Sequence, residues 1–99
     1  MIKVNIEYKD KRINKIVVNG HANYDVSGKD IVCAAVSSTV ITTVNNILSL
    51  KNTIDYNESD GKLSILVKID DDNTDKLLNN MINMLKELEC NYPKNIKII

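Results

Sequence analysis

The sequence predicts a small α/β protein of the α+β kind, with a mixed or antiparallel sheet of four to five strands, two helices and the order ββαββα(β). Three observations carry this prediction. Short runs such as Ile2, Val4, Ile6 and Tyr8 alternate apolar and polar residues, as a strand with one buried face requires. Two longer segments place apolar residues at helical spacing, one after Asp30 and one after Asp72. Polar turn signals, Lys9-Asp10-Lys11-Arg12 and Ser59-Asp60-Gly61, separate paired strand-like runs.

The elements follow in order. Ile2 to Tyr8 forms the first strand, and the apolar run Ile13 to Val18, closed by Asn19-Gly20, returns as the second. His21 to Lys29 is polar, holds Asp25, Ser27 and Gly28, and reads as a loop. Asp30 stands before a stretch without Gly or Pro up to Leu50, with Val36, Val40, Val44, Ile47 and Leu48 at helical spacing. Its Val, Thr, Ser and Asn residues are poor helix formers, so burial must override propensity there. An unbroken run of that length is nevertheless too long for a strand. Asp30 is suited to cap it, because a carboxylate accepts bonds from the orphan amides of a first turn.

Ile54 and Tyr56 begin a third strand, and Leu63, Ile65, Val67 and Ile69 alternate through a fourth. After the acidic Asp70-Asp71-Asp72, Asn73 or Thr74 is placed to cap a second helix. Leu77, Met81, Leu85 and Leu88 mark its apolar face, widened by Leu78, Ile82 and Met84. Tyr92-Pro93 ends that helix, since Pro disfavours helix at the preceding residue. Ile96, Ile98 and Ile99 allow a last strand. The two ββα halves form at most a weak internal repeat.

The 99 residues suffice for one domain over 1–99 with one core. Hydrophobic residues make up 43% and charged residues 26%, which fits a folded globular chain. Thirteen basic residues balance thirteen acidic ones, so no bulk charge favours direct nucleic-acid binding. No stretch approaches the roughly 20 apolar residues that cross a bilayer, and the N-terminus alternates too early for a signal peptide. A cytoplasmic location, no membrane partner and no Cys33–Cys90 disulfide are therefore expected. Two cysteines and one histidine fall short of a structural zinc site, so neither a metal nor another cofactor is expected.

Chemistry concentrates between Gly20 and Ser37. His21 sits where the second strand ends, and Cys33 falls in the first turn after Asp30. A thiol there sees the positive end of the helix dipole, and a nearby imidazole can take its proton. Both favour the thiolate, which is the attacking form. Asp30 has two readings: a cap for the helix, or the group that orients the His21 ring. Ser37, one turn after Cys33 on the same face, either supports the site or bonds back to the helix. Cys33 also has a plainer reading as a small buried hydrophobe, and Cys90, late in the second helix, reads as structural or incidental.

The segment that starts Gly20-His21-Ala22, continues through Gly28 and closes with Asp30-Ile31-Val32-Cys33-Ala34-Ala35-Val36-Ser37 resembles the signature of the ribosomal-processing cysteine proteases, the Prp family. Element order and length agree, so the resemblance covers nearly the whole chain. It implies His21 as catalytic base and Cys33 as nucleophile, with Asp30 and Ser37 in supporting positions. It implies a homodimer whose substrate is a ribosomal protein precursor, a large-subunit protein that loses a short N-terminal extension. The backbone amides of Cys33 and Ala34 are the expected oxyanion donors, and Gly20 and Gly28 the expected loop or hinge glycines. Two other functions stay open on the residues alone: a non-enzymatic module that binds a ribosomal protein, and a redox-sensing thiol protein with Cys90 as resolving partner.

Overall fold

A computed structural model of the chain describes residues 1–20 and 30–99. Among the described residues seven elements follow in the expected order: β1 (Ile2–Lys9), β2 (Arg12–Asn19), α1 (Ile31–Leu50), β3 (Ile54–Ser59), β4 (Lys62–Val67), α2 (Asp72–Asn91) and β5 (Ile96–Ile98). The sheet runs β3-β4-β2-β1-β5. All neighbours are antiparallel except β5, which lies parallel to β1. The sheet is thus mixed.

Local chemistry explains the hairpins. Asp10 (φ 52) and Lys11 (φ 66) both adopt the left-handed conformation of a two-residue turn that matches the twist of paired strands. At the second hairpin only Gly61 of the Asp60-Gly61 pair takes positive φ, at 68, and it carries no Cβ to oppose it. The registers align Val4 with Val18, Ile16 with Ile65 and Tyr56 with Ile65, which collects the inward side chains on one face.

Both helices bury a stripe on that face. Val32, Val36, Val40, Thr43, Val44 and Ile47 of α1 are buried, as are Thr74, Leu78, Met81, Ile82 and Leu85 of α2. Together with Ile2, Val4, Ile16, Ile65 and Ile96 they form one core. Burying a side chain of this size stabilises by about 1.5–3 kcal/mol, which outweighs the poor helix propensity of the valines in α1. A buried bond between the Thr53 and Thr74 hydroxyls, 2.6 Å long, ties the chain before β3 to the start of α2.

Several expectations need correcting. The cap of α2 is Asp71, not Asn73 or Thr74; its Oδ2 accepts from the Thr74 amide at 3.0 Å and the Thr74 hydroxyl at 3.1 Å. A carboxylate two to three residues earlier captures the first turn, and Thr74 goes into the core instead. Strand β4 stops at Val67, and Ile69 is exposed. Leu48 of α1 and Met84 of α2 are also exposed, on the outer flank of each helix. On length and composition α1 is apolar enough to cross a membrane, contrary to the expectation that no stretch is. In this fold its inner stripe belongs to the shared core.

Candidate functional site

The antiparallel registers bring one end of the sheet together. Lys3 pairs with Asn19, Asn19 with Lys62, and Lys62 with Ser59. The start of β1, the end of β2 and the tip of the β3–β4 hairpin therefore meet, and the first turn of α1 stands beside them. A cavity of about 180 Å³ opens there, with Cys33, Ser37 and Gly20 in its wall. Val18, Val36 and Leu63 give it an apolar floor, while Glu58, Ser59 and Lys62 supply a polar rim.

Cys33 is half-buried and packs against the core on one side. Its place is fixed by Asp30, the N-cap of α1 with extended backbone at φ −76 and ψ 98. Asp30 Oδ1 accepts from the amides of Val32 and Cys33, each at 3.0 Å. The Asp30 carbonyl accepts from the Ala34 amide at 3.2 Å. The amides of Cys33 and Ala34, expected as oxyanion donors, are thus both bonded to Asp30 in this structure. Both donors point back into the capped first turn, because an N-cap carboxylate and carbonyl satisfy the groups that would otherwise face a ligand.

Ser37 is exposed and lines the same cavity one turn after Cys33. The hydroxyls of α1 that bond back to the helix are those of Thr39, Thr43 and Ser49. Gly20 closes β2 at φ +97, and its amide donates to the Gly61 carbonyl at 2.9 Å. His21 and Gly28 lie outside the described residues. Cys90 is an exposed free thiol near the end of α2, and Cys33 is likewise free of any disulfide.

The hairpin tip is the part of the site that sequence reasoning missed. Asp60-Gly61 signalled a turn, but its place depends on β4 pairing with β2 across the intervening α1, a long-range contact with no local signature. On the rim, the Tyr56 hydroxyl donates to Glu58 Oε2 at 3.2 Å. Partial burial pushes the Tyr56 phenol above its ordinary value, and the Glu58 charge adds to this.

Such an arrangement, a half-buried thiol at a helix start beside an open cavity, can hold a peptide carbonyl against sulfur. The chain matches the family model for cysteine protease Prp over residues 1–97. It is 31% identical to the ribosomal processing cysteine protease Prp of Staphylococcus aureus, across 99% of this chain and 97% of that protein. A crystal structure of the S. aureus ribosomal processing protease Prp with a covalently linked product peptide superposes with a TM-score of 0.93 at 32% identity, covering 99% of this chain and 97% of the other. A second structure of that protease, with a substrate peptide, gives 0.87 at 30% identity and covers 100% and 98%.

Proposed function

The chain belongs to the cysteine protease Prp family, and from that premise we propose that it removes the short N-terminal extension of a large-subunit ribosomal protein by Cys–His acyl transfer. The observation that carries the mechanism is the seat of Cys33: first turn of α1, half-buried, in the wall of a cavity large enough to admit part of a peptide.

His21 takes the proton of the Cys33 thiol, and the thiolate sulfur attacks the scissile carbonyl carbon. Collapse of the tetrahedral adduct breaks the C–N bond, and His21 returns the proton to the leaving amine. Water then hydrolyses the thioester and frees Cys33. The helix start favours negative charge on sulfur. Asp30 stabilises the turn that carries Cys33 through Oδ1. With the Cys33 and Ala34 amides bonded to Asp30, the Ser37 hydroxyl is the side-chain donor on α1 suited to the developing oxyanion; one such donor typically lowers a barrier by roughly 3 kcal/mol.

The protein acts as a cytoplasmic homodimer in this proposal. The outer flank of α1 supports that state. The helix has 20 residues and none is charged, and Ile31, Ile41, Leu48 and Leu50 are exposed along it. By contrast α2 exposes Lys76, Lys86 and Glu87. An uncharged exposed helix suits a self-complementary contact between two copies. The test of function is incubation of the ribosomal precursor with the protein. Mass spectrometry should find the shortened product with wild type and the intact precursor with Cys33→Ala.

A further inference from the structure

We propose that Gly20 is a positioning residue: a fixed backbone clamp that aims the chain into His21, and not a hinge. The inference rests on the assignment of His21 as catalytic base and adds to it the device that sets where that base begins.

Three observations converge on Gly20. Its φ of +97 belongs to a region that residues with a side chain rarely adopt. A Cβ placed on it would lie 2.5 Å from the Met1 carbonyl oxygen and 3.8 Å from the Ile2 Cα, so the obstacle is backbone and not a side chain that could swing away. Its amide donates to the Gly61 carbonyl at 2.9 Å. Gly20 is thus held between the start of β1 on one side and the β3–β4 hairpin tip on the other. Both are backbone contacts from sheet elements, and the hairpin tip also lines the cavity of Cys33.

The consequence is geometric. The φ and ψ of Gly20 set the direction in which the chain leaves β2, and His21 is the next residue. A Cβ at this position must push Gly20 off the Met1 carbonyl, rotate its backbone out of the positive-φ region, or both. Each response redirects the following residue relative to Cys33, whose own place is set independently by α1. Productive proton transfer needs the base within hydrogen-bond reach of the sulfur, so a displacement of an ångström at the root of His21 falls on kcat.

The experiment compares wild type, Gly20→Ala and His21→Ala by precursor cleavage and by iodoacetamide labelling of Cys33 across pH 5 to 9. Expected for Gly20→Ala is a kcat at least 10-fold lower with KM changed less than 3-fold. Its labelling profile should shift toward that of His21→Ala while far-UV circular dichroism stays that of the wild type. A chain made by chemical synthesis with D-alanine at position 20 accepts positive φ and carries its methyl on the opposite side of Cα; it should recover cleavage. Gly20→Ala with wild-type kcat and labelling overturns the inference. So does Gly20→Ala that is unfolded while the D-alanine chain is folded and active, since Gly20 then serves stability alone. Absence of cleavage by the wild type instead strikes the proposed function, and the labelling profiles still decide the role of Gly20.

Discussion

Asp30 Oδ1 accepts the backbone amide of Cys33 at 3.0 Å, and the same oxygen accepts that of Val32. The carboxylate therefore sits at the foot of the turn that carries the thiol, where its cap and its charge act in opposite directions. The cap holds Cys33 against the cavity. The negative charge opposes a thiolate.

Two substitutions separate these effects. Asp30→Asn keeps an acceptor oxygen for the two amides and removes the charge. Asp30→Ala removes both. Loss of a cap costs about 1 kcal/mol. Asp30→Ala should therefore unfold at a lower temperature than Asp30→Asn, by a few degrees in a chain of this size. If Asp30 only caps the helix, Asp30→Asn keeps wild-type cleavage. If it also orients His21, Asp30→Asn loses kcat without losing stability. Thermal melts and cleavage rates on the same three proteins decide.

Ser37→Ala should fold and melt like the wild type, because the side chain is exposed. Its kcat should fall by 10-fold or more while Cys33 labelling is unchanged, since an oxyanion donor acts after attack and not on the resting thiol. Ser37→Thr keeps a hydroxyl and should recover part of the loss. Slower labelling of Ser37→Ala would move Ser37 from the oxyanion to the thiol.

Much of this was legible in the chain. Alternation marked β1 and β4, the apolar run Ile13 to Val18 marked β2, the Ser59-Asp60-Gly61 signal marked a hairpin, and Asp30 marked the start of α1. What local patterns could not give was partnership. Strand order depends on β4 joining β2 and β5 joining β1, and only that order carries Gly61, Glu58 and Lys62 to Cys33. The cap of α2 was misplaced because four consecutive residues from Asp70 to Asn73 can all cap, and Thr74 prefers the core to the turn. The cap has a second effect that no local pattern announces: the Cys33 and Ala34 amides, expected as oxyanion donors, both bond to Asp30 here.

Asp71 gives the fold a pH dependence. Its carboxyl is held below the usual carboxylate range, first by the Thr74 amide and then by the Thr74 hydroxyl. A group whose folded value is depressed contributes stability above its unfolded value and loses it as pH falls through the folded one. Asp71→Ala should therefore melt below the wild type at pH 7, and the gap should narrow as pH drops below the ordinary carboxylate range. A gap that stays constant with pH would assign the effect to something other than the ionised cap.

The uncharged flank of α1 bears on assembly. Ile41→Lys places a charge mid-helix on an exposed position and leaves the buried stripe intact. Light scattering after gel filtration should find the wild type at twice the chain mass and Ile41→Lys at the chain mass, with equal circular dichroism. A dimeric Ile41→Lys protein would move the contact to another face.

The most direct measurement is mass spectrometry of the ribosomal precursor after incubation with wild type, Cys33→Ala and His21→Ala. The expected result is a single N-terminally shortened product and a transient thioester adduct on the wild-type enzyme, with neither from Cys33→Ala and at most trace cleavage from His21→Ala. Cleavage by Cys33→Ala at the wild-type rate would contradict the assignment of the nucleophile and the acyl-transfer mechanism with it.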